Sequence, residues 1–258
     1  MGENAIGRFI GGAWTLVRDR LAPAAFDLVW PRKCEICGGE ADNPDSSICM
    51  SCMMRMPLAN MHGCAICGRD IGEQRHDNLL CSDCAGAARP HFDRAAFALR
   101  FEGDARRLLL DYKFNRKIWL ARDFARMMAA AAQRRLPVEA IDLVCPMPVT
   151  LLHRLDRGYN QCWYLADLVA HSFGIECRGD IVRRAGRPRR QAGLSEKERR
   201  QNVVGTFAIR KKRAVVGRNI LIVDDVMTTG ATMSECARAL KLAGARRVYA
   251  LALAKAVK

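Results

Sequence analysis

The chain has 258 residues, half of them hydrophobic and 27% charged, which excludes a miniprotein or a disordered chain and leaves room for one or two domains with their own cores. Its 42 basic and 27 acidic residues leave a formal charge of +15. That excess favours a polyanionic partner or a phosphorylated ligand, with a basic solvated surface as the plain alternative.

Residues 1–30 place Ile6, Phe9, Ile10, Ala13, Trp14, Val17 and Leu21 at helical spacing, with Arg8, Arg18 and Arg20 off that stripe. The pattern predicts an amphipathic helix, packed on its own domain or turned toward a partner or a membrane surface, and closed by Pro31. The longest uncharged run there, Phe9 to Val17, is too short to span a bilayer, so no integral membrane segment is expected.

Eight of the twelve cysteines fall between Cys34 and Cys84, as Cys34-x2-Cys37-x11-Cys49-x2-Cys52 and then Cys64-x2-Cys67-x13-Cys81-x2-Cys84, two units offset by 30 residues. No secretory segment is evident, so the expected setting is a reducing cytoplasm, where clustered thiolates hold metal. Each Cys-x2-Cys turn presents two sulfurs to one ion, and two turns close a tetrahedral zinc site with no open position. The spacing therefore predicts two structural zinc ribbons within residues 31–90. Crossed pairing of the units satisfies the same chemistry, and such ribbons serve as scaffolds or as nucleic-acid modules.

Residues 91–258 alternate strand-like and helical stretches, the pattern of an α/β domain with a mostly parallel sheet flanked by helices. Expected strands are Arg94 to Arg100, Ile141 to Cys145, Thr206 to Arg210, Asn219 to Val223 and Arg247 to Ala252. Expected helices are Asp104 to Phe114, Leu120 to Arg135, Tyr159 to Phe173 and Ala231 to Ala243. Between Arg178 and Arg218 stand 14 Lys or Arg against three acidic residues, a local charge of +11.

The run from Asn219 to Met233 is the most informative. Its apolar half reads as a buried parallel strand and a helix follows, so the residues between lie at a strand's carboxyl end, where open parallel sheets place ligands. Thr228, Thr229 and Thr232 offer hydroxyls, while Gly230 and Ala231 let backbone amides approach a phosphate at the helix start. Asp224 and Asp225 can accept hydrogen bonds from the vicinal hydroxyls of a ribose. Together they point to a ribose 5-phosphate ligand; the plain reading is a strand end with an N-cap.

This run resembles the 5-phosphoribosyl 1-pyrophosphate (PRPP) motif of type I phosphoribosyltransferases. The resemblance implies ribose binding by Asp224 and Asp225 and 5-phosphate binding by Thr228 to Thr232, with Mg2+ accompanying PRPP. Further segments, Pro146 to Gln161 with Leu165-Ala166, Gln191 to Asn202 with Gly205-Thr-Phe207, Lys113-Phe114 and the twin cysteine repeats, resemble the ComF competence family over nearly the whole chain. A double zinc ribbon ahead of a phosphoribosyltransferase-like domain is implied, and with it a role in single-stranded DNA uptake alongside an uptake helicase or membrane-associated machinery. By the same resemblance Arg154 and Arg157 are candidate pyrophosphate donors, and the Arg-rich segment 183–202 corresponds to a flexible hood closing over the ligand, with Lys197, Arg199 and Arg200 able to neutralise its charge.

One departure bears on catalysis. Phosphoribosyltransferases acting on 6-oxopurines carry a carboxylate where this chain has Thr228, so no base-handling group is identified. The readings are a PRPP-binding protein of DNA handling, an active transferase making a nucleotide from a free base, and a PRPP sensor without turnover. Replacing both aspartates by Asn is expected to cost ligand affinity and little stability.

Overall fold

The computed structural model describes residues 33–43, 45–59, 63–72, 79–86, 89–148, 160–185 and 205–256. The amphipathic segment 1–30 lies outside them. The chain divides into two compact units, Met1–Arg55 and Met56–Lys258, so the second cysteine repeat shares a unit with the α/β residues.

In the first unit the described residues hold one short helix, α1 (Met50–Met54), following Cys49. The second unit begins its regular structure with α2 (Ser82–Ala85). Strand β1 (Arg94–Arg100) follows, buried except at its two arginine ends. After it come α3 (Gly103–Phe114), α4 (Leu120–Arg135), β2 (Leu143–Pro146) and α5 (Gln161–Phe173). Then follow β3 (Val182–Arg184), β4 (Phe207–Ile209), β5 (Asn219–Met227), α6 (Ala231–Leu242) and β6 (Arg247–Lys255).

Four strands form one parallel sheet in the order β1-β6-β5-β2. Their near-continuous apolar runs are what a sheet covered on both faces requires. Helix α4 buries Leu120, Phe124, Met128 and Ala132, one stripe of a helix. It packs against α5, β1 and β6, while α5 covers β2 and β5. Leu143, Cys145, Ile220, Ile222, Val248, Ala250 and Ala252 point into one cluster with Met233, Cys236 and Leu240 of α6. That cluster also takes in Val182 and Phe207, and Cys64, Ile66, Cys81 and Cys84 of the second repeat.

Two differences from the sequence expectations matter. Thr206 to Arg210 supplies no strand of the parallel sheet; β4 pairs antiparallel with β3, as Val182↔Ile209 and Arg184↔Phe207. Each strand has only three residues, too few to show alternation, and Arg183 and Arg184 obscure the signal in β3. Strand β5 continues past Val223 to Met227, with Asp224 opposite Ala252 and Met227 opposite Lys255. Acidic residues are poor strand formers, yet here pairing to β6 holds them in extended backbone.

The connections fix where a ligand can sit. From β2 the chain crosses through α5 and returns at Cys177, which bridges Val144 in parallel on the side of β2 away from β5. From β5 it crosses through α6 to β6, the opposite way. Adjacent strands whose connections diverge leave a crevice at their carboxyl ends, here beyond Pro146 and Met227.

Candidate functional site

The loop after β5 turns into α6 through Gly230, whose φ of 78° is in the left-handed region. A Cβ there would make only ordinary contact, with Met227 Sδ at 3.4 Å, so it is the backbone conformation that favours glycine. The Ala231 amide donates to Thr229 Oγ1 at 3.3 Å. Thr228 is exposed, while Thr229, Gly230, Ala231 and Thr232 are half-buried. The structure thus brings the predicted phosphate residues together at the N-terminus of a twelve-residue helix, whose free amides and dipole suit an anion.

Asp224 and Asp225 stand one step back on β5, and consecutive strand residues project differently. Asp225 is buried, and Lys113 Nζ lies 2.8 Å from its Oδ1. Asp224 Oδ1 accepts from the Cys162 thiol at 3.2 Å and from the Asp225 amide at 2.9 Å. Burial and the Asp225 carboxylate push Asp224 up to about 7, against the Cys162 bond that lowers it. Burial, then the charges of Asp225 and Asp224, push the Cys162 thiol well above its ordinary range; it acts as a donor, not a thiolate.

The supports of this pair come from distant sequence. Lys113 stands in the last turn of α3, and its carbonyl accepts from Gln161 Nε2 at 2.6 Å. Tyr112 Oη donates back to the Gln161 carbonyl at 2.9 Å. Asn160 caps α5 by accepting from the Cys162 and Trp163 amides, which sets Cys162 against Asp224. Glu235 of α6 accepts from the Gly205 amide at 2.7 Å and from Arg238 through both carboxylate oxygens, so the root of the β3–β4 ribbon is clamped to the helix that opens at the phosphate loop. Lys113 and Gln161 were legible only as parts of a family motif; nothing in local spacing gave them a role. Arg154, Arg157, Lys197, Arg199 and Arg200 lie outside the described residues.

The cysteines gather as two sequential tetrads, Cys34, Cys37, Cys49 and Cys52, and Cys64, Cys67, Cys81 and Cys84, with the sulfurs of each within 4.8 Å of one another. The crossed arrangement is therefore not adopted. Cys37 Sγ is 3.8 Å from Cys49 Sγ, and Cys67 Sγ is 3.6 Å from Cys81 Sγ. Sulfurs at the corners of a tetrahedron with bonds of about 2.3 Å are about 3.8 Å apart, so both tetrads fit structural zinc.

Further donors reach the sulfurs: the Ile36 and Cys49 amides point at Cys34 Sγ, and the Arg55 guanidinium donates to Cys52 Sγ at 3.2 Å. Around the second tetrad, Arg135 donates to the Cys64 carbonyl at 2.8 Å and Lys255 to the Cys67 carbonyl at 2.9 Å. These cations offset the net negative charge that four thiolates leave on a zinc ion.

The second tetrad is built into the sheet's edge. Ala95 of β1 donates to the Ile66 carbonyl, the Ala59 amide donates to Ala98, and Leu58 bridges Leu99. A Cβ on Gly68 would lie 2.6 Å from the Phe97 ring, so only glycine allows this close approach. Among the described residues no helix is long and apolar enough to cross a membrane.

Comparison with known proteins agrees with this construction. A family model described as double zinc ribbon domain matches residues 25–85, and one described as phosphoribosyl transferase domain matches residues 160–256. The chain is 26% identical over 228 residues to competence protein F of Haemophilus influenzae, covering 87% of this chain and 97% of that one. It is 26% identical over 224 residues to DNA utilization protein YhgH of Escherichia coli K12, covering 81% and 96%. Competence protein ComFC of Bacillus subtilis matches at 24% over 204 residues, covering 76% and 79%. With two cysteine tetrads that fit zinc and a parallel phosphoribosyltransferase-type sheet in one polypeptide, the chain is similar over most of its length to the ComF competence proteins.

Proposed function

We propose that the crevice at the ends of β2 and β5 binds PRPP with Mg2+, and that the protein acts in single-stranded DNA handling during uptake. The observation that carries the first half is the order of groups along one short run: the carboxylates of Asp224 and Asp225, then the hydroxyls and amides of Thr228 to Thr232 at the start of α6. Ribose hydroxyls are donors that need acceptors, and the 5-phosphate is an acceptor that needs donors, so this order fits a ribose 5-phosphate read from C2 and C3 toward C5. Asp224, Asp225 and Cys162 offer three ligand atoms close together; the two carboxylates are of the hard type that Mg2+ takes alongside phosphate oxygens.

The second half rests on relatives named for competence and DNA utilization and on charge. Arg210, Lys211, Lys212 and Arg213 are consecutive and exposed, a solvated basic run suited to a phosphate backbone. In the basic stretch Phe207 is the one aromatic, and it is buried, so binding there is electrostatic and not by stacking.

Binding without turnover on a 6-oxopurine is favoured by one feature: Thr228 stands exposed where the transferases of those bases carry a proton-handling carboxylate. Thermal denaturation with and without PRPP and Mg2+ tests the first half, with an upward shift expected. A pyrophosphate-release assay with free bases, expected to stay at background, separates a binding protein from a transferase.

A further inference from the structure

The exposed run Arg210 to Arg213 contains no aromatic residue of its own, but the fold brings two to its side. Lys211 pairs with Asp180, and the Arg210 amide donates to the Ile181 carbonyl at 2.8 Å. The run therefore starts against the exposed turn Gly179–Asp180. The same turn is met by Trp163, in the first turn of α5. A Cβ on Gly179 would lie 3.2 Å from Trp163 Cδ1 and 3.5 Å from Pro146 Cγ, so the bare backbone of a glycine is what lets the indole settle beside the end of β2.

Trp163 is not absorbed by this packing: it and Tyr164 are each 41% exposed. Their rings meet edge to face, with centroids 5.6 Å apart and planes at 85°. Two large rings held by each other and by Gly179 lose little freedom when a flat ligand stacks on them. The charge beside them is positive. Arg178 donates to both carboxylate oxygens of Asp180 at 3.1 Å, and Arg218 lies 4.0 Å from Glu176. Arg178, Arg218 and the four cations of the run outnumber Asp167, Glu176 and Asp180 by six to three.

Exposed aromatic faces next to a solvated basic run suit a chain that offers flat rings and phosphates in alternation. A duplex presents those rings only after unstacking. Resting on the reading of the protein as one of single-stranded DNA handling, we infer that Trp163, seconded by Tyr164, is the base-stacking part of a single-stranded DNA surface whose phosphate-binding part is the run Arg210 to Arg213, the two joined at Gly179–Asp180. The surface lies along the segment that Cys177 ties to β2 on the side away from β5, outside the crevice between those strands.

Fluorescence anisotropy of the full, zinc-loaded chain tests this with two labelled probes, oligo-dT and a strand of the same length built from abasic sites, which keeps the phosphates and lacks the bases. The parent protein is expected to prefer oligo-dT. W163A is expected to lose at least fivefold of that preference, the low end for one stacked base, while its affinity for the abasic strand stays within about twofold and its salt dependence is unchanged. W163L, which keeps an apolar contact with Gly179 and Pro146 but has no ring, is expected to match W163A and decides the question if W163A does not fold. An unchanged preference in the variants, equal weakening toward both strands, or a parent that binds both strands equally overturns the stacking surface and leaves electrostatic DNA binding standing. A parent that binds neither strand overturns the DNA reading as well.

Discussion

Lys113 and Asp225, 112 residues apart in sequence, meet at 2.8 Å between Nζ and Oδ1, while Asp224 beside them forms no ion pair among the described residues. The acidic pair is therefore divided. Asp225 is anchored to α3, and Asp224, held by the Cys162 thiol, is the carboxylate left to take a ligand's hydroxyls. This changes the expectation that both aspartates matter little to folding, because Asp225 holds Lys113 in place.

The division has a direct consequence for stability. Lys113→Met removes one partner of a largely buried pair and leaves the Asp225 carboxylate unpaired, and should lower unfolding free energy by about 3 kcal/mol in chemical denaturation. Combining it with Asp225→Asn should recover much of that loss. A double variant as unstable as the sum of the singles would mean that the two residues do not act as a pair.

Stability should also depend on pH through Asp224. Its folded value is about 7, against about 3.9 for an unfolded aspartate. Between those values the folded state holds the extra proton, so stability falls as pH rises from about 4 to 7, and the penalty is complete above that window. Asp224→Asn removes it. The variant should be more stable than the parent by up to about 4 kcal/mol at pH 8, with the gap closing as pH approaches 4 in thermal scans at a series of pH values.

Metal removal should separate the two tetrads. The second shares a core with the sheet through Cys64, Ile66, Cys81 and Cys84, and the first lies in the other unit. Cys81→Ser should lower the transition of the α/β unit by roughly 10 °C or more, on the scale of several kcal/mol for a structural site. Cys37→Ser should leave that transition nearly in place. Elemental analysis should give two zinc ions per parent chain and about one in each variant.

Binding of single-stranded DNA should weaken steeply with salt. Every phosphate that the protein no longer neutralises reduces the slope of log affinity against log salt by about 0.7. Neutralising Arg210, Lys211, Lys212 and Arg213 together should flatten the slope by up to about 3 units in fluorescence anisotropy with oligo-dT. A slope that does not change would move the binding surface elsewhere.

Much of this was legible in the sequence because its signals are local. The Cys-x2-Cys repeats, the apolar run into Asp224 and the Thr-Thr-Gly turn into α6 each lie within a few residues, and local spacing constrains such elements strongly. What was not legible depends on contacts between distant segments. The Lys113–Asp225 pair, the Cys162 donor and the Glu235 clamp on Gly205 arise only when α3, α5 and α6 pack around the sheet. Strand β4 falls within an expected strand, but its antiparallel partner β3 escaped because a three-residue strand with two arginines carries no alternation, and the sheet's claim on the second cysteine repeat is a backbone pairing to β1 that side-chain pattern does not encode.

The most direct test of a PRPP site centred on β5 is titration of PRPP with Mg2+ into the parent protein and Asp224→Asn, which leaves the Lys113–Asp225 pair in place. The parent should bind with a measurable heat, and the variant at least tenfold more weakly, a loss of at least about 1.4 kcal/mol, with its thermal transition intact. Equal affinity in the two proteins, or no binding by the parent, would contradict the account.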